Sequence, residues 1–428
     1  MKSKFSVLSL LLFVLFVTPT SFATELVDKA VSEKGAESAA AIDELRSQGP
    51  AGLNALMKRY ADEIKKHIDD PTLKPNAEWL RITNALDTVS GQKNSFISGL
   101  YWYTDLKEAQ QAAKESGKPI LSLRLLGKLT DELSCANSRF FRTVLYSNAE
   151  IASVLRDRFV LHWQSVRPAP IVTIDFGDGR KLERTVTGNS IHYVLDSSGR
   201  LLEALPGLYG PKAFLRNLTE SESLFKSLIG KSNMAMDSLV AAHHQVRYNT
   251  LSAAWLTDTA KIGGKIPEGF SVVRDQKGQL TAVLVAPLAI TKMATERSTL
   301  RSMSATSDAL SRITDEAAWR KIAQLHASDA MLDSRSIALI KRQNPALSDR
   351  EFAMMLQKFQ ELIALDTVRN EYLLHMKLYP WLMGDPRIDL EQFNEKVYAE
   401  LFLTPRSDPW LGLLESDVYM GIDNGGVQ

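Results

Sequence analysis

The sequence predicts an α/β central domain set between two mainly helical regions, and two changes of pattern carry that reading. Near residue 99 an Ala-, Glu-, Lys- and Leu-rich stretch gives way to short apolar runs alternating with amphipathic segments. Near residue 230 helical spacing returns. The expected organisation is a signal peptide over residues 1–23, an N-terminal helical region over 24–98, the α/β domain over 99–230 and a mainly helical C-terminal domain over 231–428.

Lys2 and Lys4 precede an apolar run from Phe5 to Val17, and a polar stretch ending Ser21-Phe22-Ala23 follows. That order is the pattern of a secretory signal cut after Ala23, so a periplasmic or secreted location is expected. No later run is apolar enough to span a bilayer, which predicts no membrane span in the mature chain. The sequence holds 51 Lys+Arg and 50 Asp+Glu; without Lys2 and Lys4 the balance is 49 to 50. Near-neutrality argues against a nucleic-acid partner. Exported proteins often rely on disulfides, but with one cysteine in 428 residues no intramolecular bridge can form and packing must stabilise the fold.

In the first region two helices are expected, broken at Gly49-Pro50, with Leu45, Leu53, Leu56 and Tyr60 on the buried side. In the central segment Thr104 is placed to cap the helix "DLKEAQQAAKES", which stops at Gly117. "PILSLRLL" then reads as a strand buried on both faces. A cysteine loop follows, then helical "SRFFRTVLY" and "NAEIASVLRDRF", a strand "VLHWQSV", and a hairpin of "IVTIDF" and "RKLERTV" turning at Gly177-Asp178-Gly179. "SIHYVLD", "LLEALPG" and the helix from Gly210 close the segment. Beyond residue 231, Ser348 and Glu351 have capping-box spacing, and Leu390, Phe393, Val397 and Leu401 form an apolar stripe. A strand pair is expected in "GFSVVRDQKGQLTAVLVAPLAI", turning at Gln276 to Gly278. Trp410, Leu411 and Leu414 are expected to tuck against the body.

The helix "TDLKEAQQAAKESGKPI" running into "LSLRLL", the cysteine before the next helix, "EIASVLRDRFV" and "YVLDSSGRLLEALPGLYGPKAFL" together resemble a thioredoxin-like domain. The resemblance covers the middle segment alone and rests on order and pattern. It implies a sheet flanked by helices, with Cys135 in the nucleophile's place at a helix start. Two departures stand out: Cys135-Ala136-Asn137-Ser138 replaces Cys-x-x-Cys, and Ser190 stands where the family carries a cis-proline.

A dithiol enzyme resolves its mixed disulfide with the second sulfur, which Ser138 cannot supply. A lone thiolate at a helix N-terminus can still attack, and Arg139 and Arg142 would add positive charge if they faced the sulfur. Two readings stay open. One is monothiol disulfide exchange or mixed-disulfide capture through Cys135; the other is a non-catalytic thioredoxin-like scaffold binding a protein partner in the envelope, with Cys135 as a small core hydrophobe. Ser138 serves the sulfur in the first and caps the helix or meets solvent in the second. Neither reading calls for a cofactor or metal. His243-His244 is adjacent rather than spaced four apart and reads as part of a solvated helix face. His162 and His192 lie on neighbouring strands, either near the thiol or satisfied within the sheet. Asp175-Phe176-Gly177 matches a kinase tripeptide without its companion motifs and reads as a turn, and "DSRSIALIK" lacks Ser-x-x-Lys spacing.

Overall fold

The computed structural model describes residues 19–185, 188–265, 270–274, 280–284, 311 and 314–411. The expected signal segment lies outside them up to Thr18, and no described helix is long and apolar enough to cross a membrane.

Helices α1 (Pro19–Ala30), α2 (Gly35–Ser47), α3 (Pro50–Arg59), α4 (Ala61–Asp69), α5 (Ala77–Ser90) and α6 (Ser95–Ser98) form the N-terminal region. The break between α2 and α3 falls at Gly49, whose φ of 65° suits a residue without Cβ, and Pro50 opens α3 where its missing N–H costs nothing. Leu45, Leu53 and Leu56 enter a core with Leu26, Ile82 and Leu86, while Tyr60, ending α3, is only partly buried.

The central sheet has five strands: β1 (Trp102–Tyr103), β2 (Ile120–Leu126), β3 (Val160–Arg167), β6 (Ser190–Leu195) and β7 (Leu201–Pro206). Their spatial order is β1-β3-β2-β6-β7; β1 and β2 run parallel to β3, and β6 and β7 are antiparallel. Every residue of β2, β6 and β7 is buried, as expected for strands covered on both faces. Helix α7 (Leu106–Ser116) is capped by Asp105 rather than by Thr104: the carboxylate accepts from the amides of Lys107 and Glu108. The chain after β2 forms α8 (Ala136–Phe140), a π-helical turn (Phe141–Leu145) and α9 (Ala149–Arg158). The hairpin β4 (Ile171–Asp175) and β5 (Lys181–Thr185) pairs outside the main sheet, and Asp175-Phe176-Gly177 lies at its turn, with Gly177 at φ 74° and Gly179 at φ 90°.

Helices α10 (Pro211–Leu228) and α11 (Asn233–Lys261), the strand pair β8 (Phe270–Arg274) and β9 (Leu280–Leu284), α12 (Glu316–Leu325), α13 (Ser334–Gln343), α14 (Asp349–Arg369), α15 (Met376–Gly384) and α16 (Leu390–Lys396) follow. Ser348 and Glu351 make the expected capping box. π-helical turns occupy Asn370–His375 and Val397–Leu401. The turn foreseen at 276–278 and Leu414 lie outside the described residues. Leu411 is buried, but Trp410 is 46% exposed, contrary to expectation: its amide closes a turn on Asp408 Oδ1 that leaves the indole in solvent.

The apolar core does not stop at residue 230. Trp255, Tyr372, Met376, Tyr379 and Phe393 belong to the same cluster as Leu123, Ile191 and Leu205 of the sheet. A polar tie reinforces the joint: Arg124, 1% exposed in the middle of β2, donates to Glu391 Oε1 at 2.5 Å and to Ser122 Oγ at 2.9 Å. Glu391→Ala should destabilise the protein by about 1–3 kcal/mol, because it leaves a buried guanidinium short of its anion. Arg124→Met combined with Glu391→Ala should recover most of that loss, which denaturant titration of the three chains would measure.

His162 and His192 each find a partner for one ring nitrogen, while His162 Nε2 and His192 Nδ1 are buried without one among the described residues. His162 Nδ1 lies 2.9 Å from Ser122 Oγ, and His192 Nε2 lies 2.7 Å from Tyr146 Oη. Burial pushes both imidazoles down to about 3, with Arg124 adding to the effect at His162. An unfolded histidine takes up its proton near 6.5, so the unfolded chain binds more protons than the folded one between pH 6.5 and 3. Stability should therefore fall on acidification across that window, by up to about 1.4 kcal/mol per pH unit for each such histidine. The paired change Tyr146→Phe and His192→Leu should make that fall shallower in thermal melts taken at successive pH values.

Candidate functional site

Cys135 is the N-cap of α8, as the resemblance implies, and its Sγ accepts the Ser138 amide at 3.4 Å. The surroundings differ from those of a reactive thiol. Cys135 is fully buried, and burial pushes its pKa up; the amides of Ser138, Leu126 and Asn137 and the more distant Arg142 pull the other way without winning.

The residues expected around the sulfur have other duties. Ser138 is buried, gives its amide to the sulfur, and its Oγ has no hydrogen-bond partner among the described residues. Arg139 is exposed and reaches Thr185 Oγ1 at 3.1 Å, tying the helix start to the β4–β5 hairpin. Arg142 is buried and holds the loop before the cysteine, donating to the carbonyls of Leu129 and Asp131 and to Ser134 Oγ. Ser190 does face this helix start: its Oγ accepts from Asn137 Nδ2 at 2.8 Å. At Gly188 the backbone approaches so closely that an added Cβ would lie 3.1 Å from Asn137 Oδ1. No described residue has a cis peptide bond.

The C-terminal region closes over this end of the sheet. Tyr398, in the last π-helical turn, donates from its hydroxyl to the Asn189 carbonyl at 3.1 Å. Burial, with a smaller contribution from the neighbouring Cys135, raises the Tyr398 pKa. Arg167, at the end of β3, donates to the carbonyls of Thr404, Pro405 and Asp408, and Asn189 Nδ2 meets Thr404 Oγ1. Beside this seam lies an open cleft of about 560 Å³, with Arg124, Gln164, Arg167, Glu391, Tyr398 and Arg406 among its lining residues. It is a hollow with charged side chains on its walls at the carboxyl ends of β2 and β3, the usual place for a ligand on a sheet with parallel strands.

A second constellation lies on β7 and was not read as a site from the sequence. Glu203, buried, accepts the Ala204 amide and faces His375 Nε2 at 3.1 Å from Oε1 and His243 Nε2 at 3.6 Å from Oε2. His244 is wholly buried beside them, which corrects the solvated-face reading of His243-His244: α11 lies against the protein body and turns this pair inward. Burial pushes His244 down to about 4. Burial also opposes the Glu203 anion, yet His375, His243 and His244 outweigh it and hold the carboxyl well below its ordinary value. The donor atoms of Glu203, His243 and His244 lie within 4.8 Å of one another. The adjacent histidines were visible in the sequence, but nothing in their spacing announced Glu203 or His375 as neighbours.

No family model matches the chain, and neither the curated proteins nor the solved structures yield a match.

Native Cys135 should react with iodoacetamide at least about 100-fold more slowly than the same thiol in urea, since labelling requires local opening. Tyr398→Ala should raise the native rate about tenfold by loosening the cover; labelling followed by mass spectrometry reads both rates.

Proposed function

We propose that the chain is a thioredoxin-like scaffold that recognises a protein partner in the exported compartment, with Cys135 as a core thiol and not a nucleophile. The observation that carries this reading is the complete burial of Cys135, with a raised pKa, at the end of the sheet that the C-terminal region covers. The thioredoxin-like assignment is supported by the strand order β1-β3-β2-β6-β7, parallel through the first three and antiparallel in the last two, and by the meeting of the cysteine helix with Ser190 at the start of β6.

The β4–β5 hairpin supplies a recognition surface. It pairs with no other described strand, so one edge of each strand keeps unpaired N–H and C=O groups, the template for adding a strand from another chain. Ile171, Val172, Ile174 and Phe176 are large apolar residues exposed along it, from 43% at Val172 to 53% at Phe176. Apolar side chains clustered on a projecting hairpin suit burial against a partner. Arg139 and the Thr185 hydroxyl, which donates to the Ser134 carbonyl, fix the hairpin base beside the cysteine helix.

The monothiol reading keeps one supporting observation, the Ser138 amide on Sγ, and requires the cover over the cysteine to open. Two measurements separate the readings. In a disulfide-reductase assay with an external reductant, wild type and Cys135→Ser should be equally inactive, and Ser138→Cys should remain inactive because both positions are buried. Turnover lost in Cys135→Ser would overturn the scaffold reading. In crosslinking of exported protein in the cell of origin, the double change Val172→Asp and Ile174→Asp should lower recovery of the crosslinked partner at least about tenfold without altering the fold, because two charges enter an apolar contact. Unchanged recovery would remove the hairpin from the proposal.

A further inference from the structure

Independently of the scaffold reading, we infer that Glu203, His243 and His244 form a binding site for one zinc(II) ion, with His375 holding the carboxylate from behind.

The argument starts from unmet hydrogen bonds. A buried imidazole normally gives one nitrogen to a donor or acceptor, and most give both. His244 is wholly buried, and neither Nδ1 nor Nε2 has a hydrogen-bond partner among the described residues. A purely structural role for Glu203, as an anion pinned inside the fold, accounts for His375 at 3.1 Å and for His243 at 3.6 Å. It leaves His244 unexplained. A metal ion would give one nitrogen of His244 its partner while keeping the Glu203 contacts, because an imidazole nitrogen with no proton is the ligand form.

The donor set and its reach fit zinc. Two imidazoles and one carboxylate are a common three-residue set for this ion, whose bonds to such donors are about 2.0–2.2 Å. Tetrahedral geometry would bring neighbouring donor atoms to about 3.4 Å, against a present spread of up to 4.8 Å. Neighbouring residues on a helix project about 100° apart, so a single carboxylate beneath α11 can be flanked by both histidines. His243 keeps 19% of its side chain exposed, which leaves the ion a route from solvent.

The surroundings have the features of an outer shell. The contact of His375 Nε2 with Glu203 Oε1 would fix the carboxylate and leave Oε2, on the His243 side, for the ion. His375 ends a π-helical turn inside an otherwise α-helical run, an irregularity frequent at functional sites, and its ring stacks on Tyr379 at 4.7 Å between centroids. The nearby cation Arg247 is engaged by Glu220 at 2.6 Å and by Asn217 at 3.0 Å. Zinc enters without redox change; each ligand histidine binds as neutral imidazole with the proton on its other ring nitrogen, and only a proton on a ligating nitrogen leaves to solvent.

The test uses the full exported chain with a histidine-free tag, stripped with a chelator and then titrated with Zn²⁺ and, separately, Co²⁺. The expected result is about one equivalent of either metal per chain, visible absorption bands of low-coordinate Co²⁺ that Zn²⁺ displaces, and histidine nitrogen in the X-ray absorption spectrum. His244→Ala should weaken binding at least tenfold and Glu203→Gln should weaken it similarly, while His326→Ala, elsewhere in the C-terminal region, should leave it unchanged. Failure of the stripped wild type to take up either metal overturns the site, as does His244→Ala binding as tightly as wild type. Should His244→Ala fail to fold, the wild-type spectra decide alone: bound metal without histidine nitrogen in its coordination shell refutes the assignment.

Discussion

A charged arginine in the middle of the central strand is the constraint from which much of this structure follows. Arg124 sits in β2 among residues that are all buried, so its guanidinium cannot rely on water. Ser122 and Glu391 supply its polar partners, and Glu391 comes from the far end of the chain. An unpaired buried charge costs several kcal/mol, so the C-terminal helices have an electrostatic reason to lie on the sheet as well as an apolar one. The same seam continues through Arg167 to the carbonyls of 404–408 and through the Tyr193 hydroxyl to Asn394.

The only cysteine lies near that seam. Two effects compete at Cys135. The start of α8 presents amides that favour a thiolate, an effect worth about 0.3–1 kcal/mol when exposed and up to ~2 when partly buried. Removal of the sulfur from water disfavours the anion by more than that in a fully buried site. Burial prevails, and the position that would carry a nucleophile in an open groove here belongs to the core.

The regions that remain distinctive are of opposite character. The β4–β5 hairpin places apolar side chains in solvent, where they gain nothing until something covers them. The Glu203 cluster places ionisable side chains inside, and there His244 has given up hydration without a hydrogen-bond partner among the described residues. Each departs from the ordinary distribution of residues between surface and interior, and the two proposals, a polypeptide at the first and an ion at the second, answer those departures.

The amino-acid sequence by itself determined the local elements. The near-continuous apolar run around Arg124 marked β2, Gly177-Asp178-Gly179 marked the hairpin, Gly49-Pro50 marked the helix break, and Ser348 with Glu351 marked the start of α14; these signals act over a few residues, where backbone sterics and local hydrogen bonds decide. The placement of Cys135 at a helix start was legible for the same reason. Its burial was not, because burial depends on what the fold brings beside it, Tyr398, more than 250 residues later, among the neighbours, and no periodicity near the cysteine records that. Likewise His243-His244 showed only that two imidazoles were adjacent. Tertiary packing alone decided that α11 would press them onto Glu203 of β7, since burial is a property of what lies across from a side chain and not of the chain on either side of it.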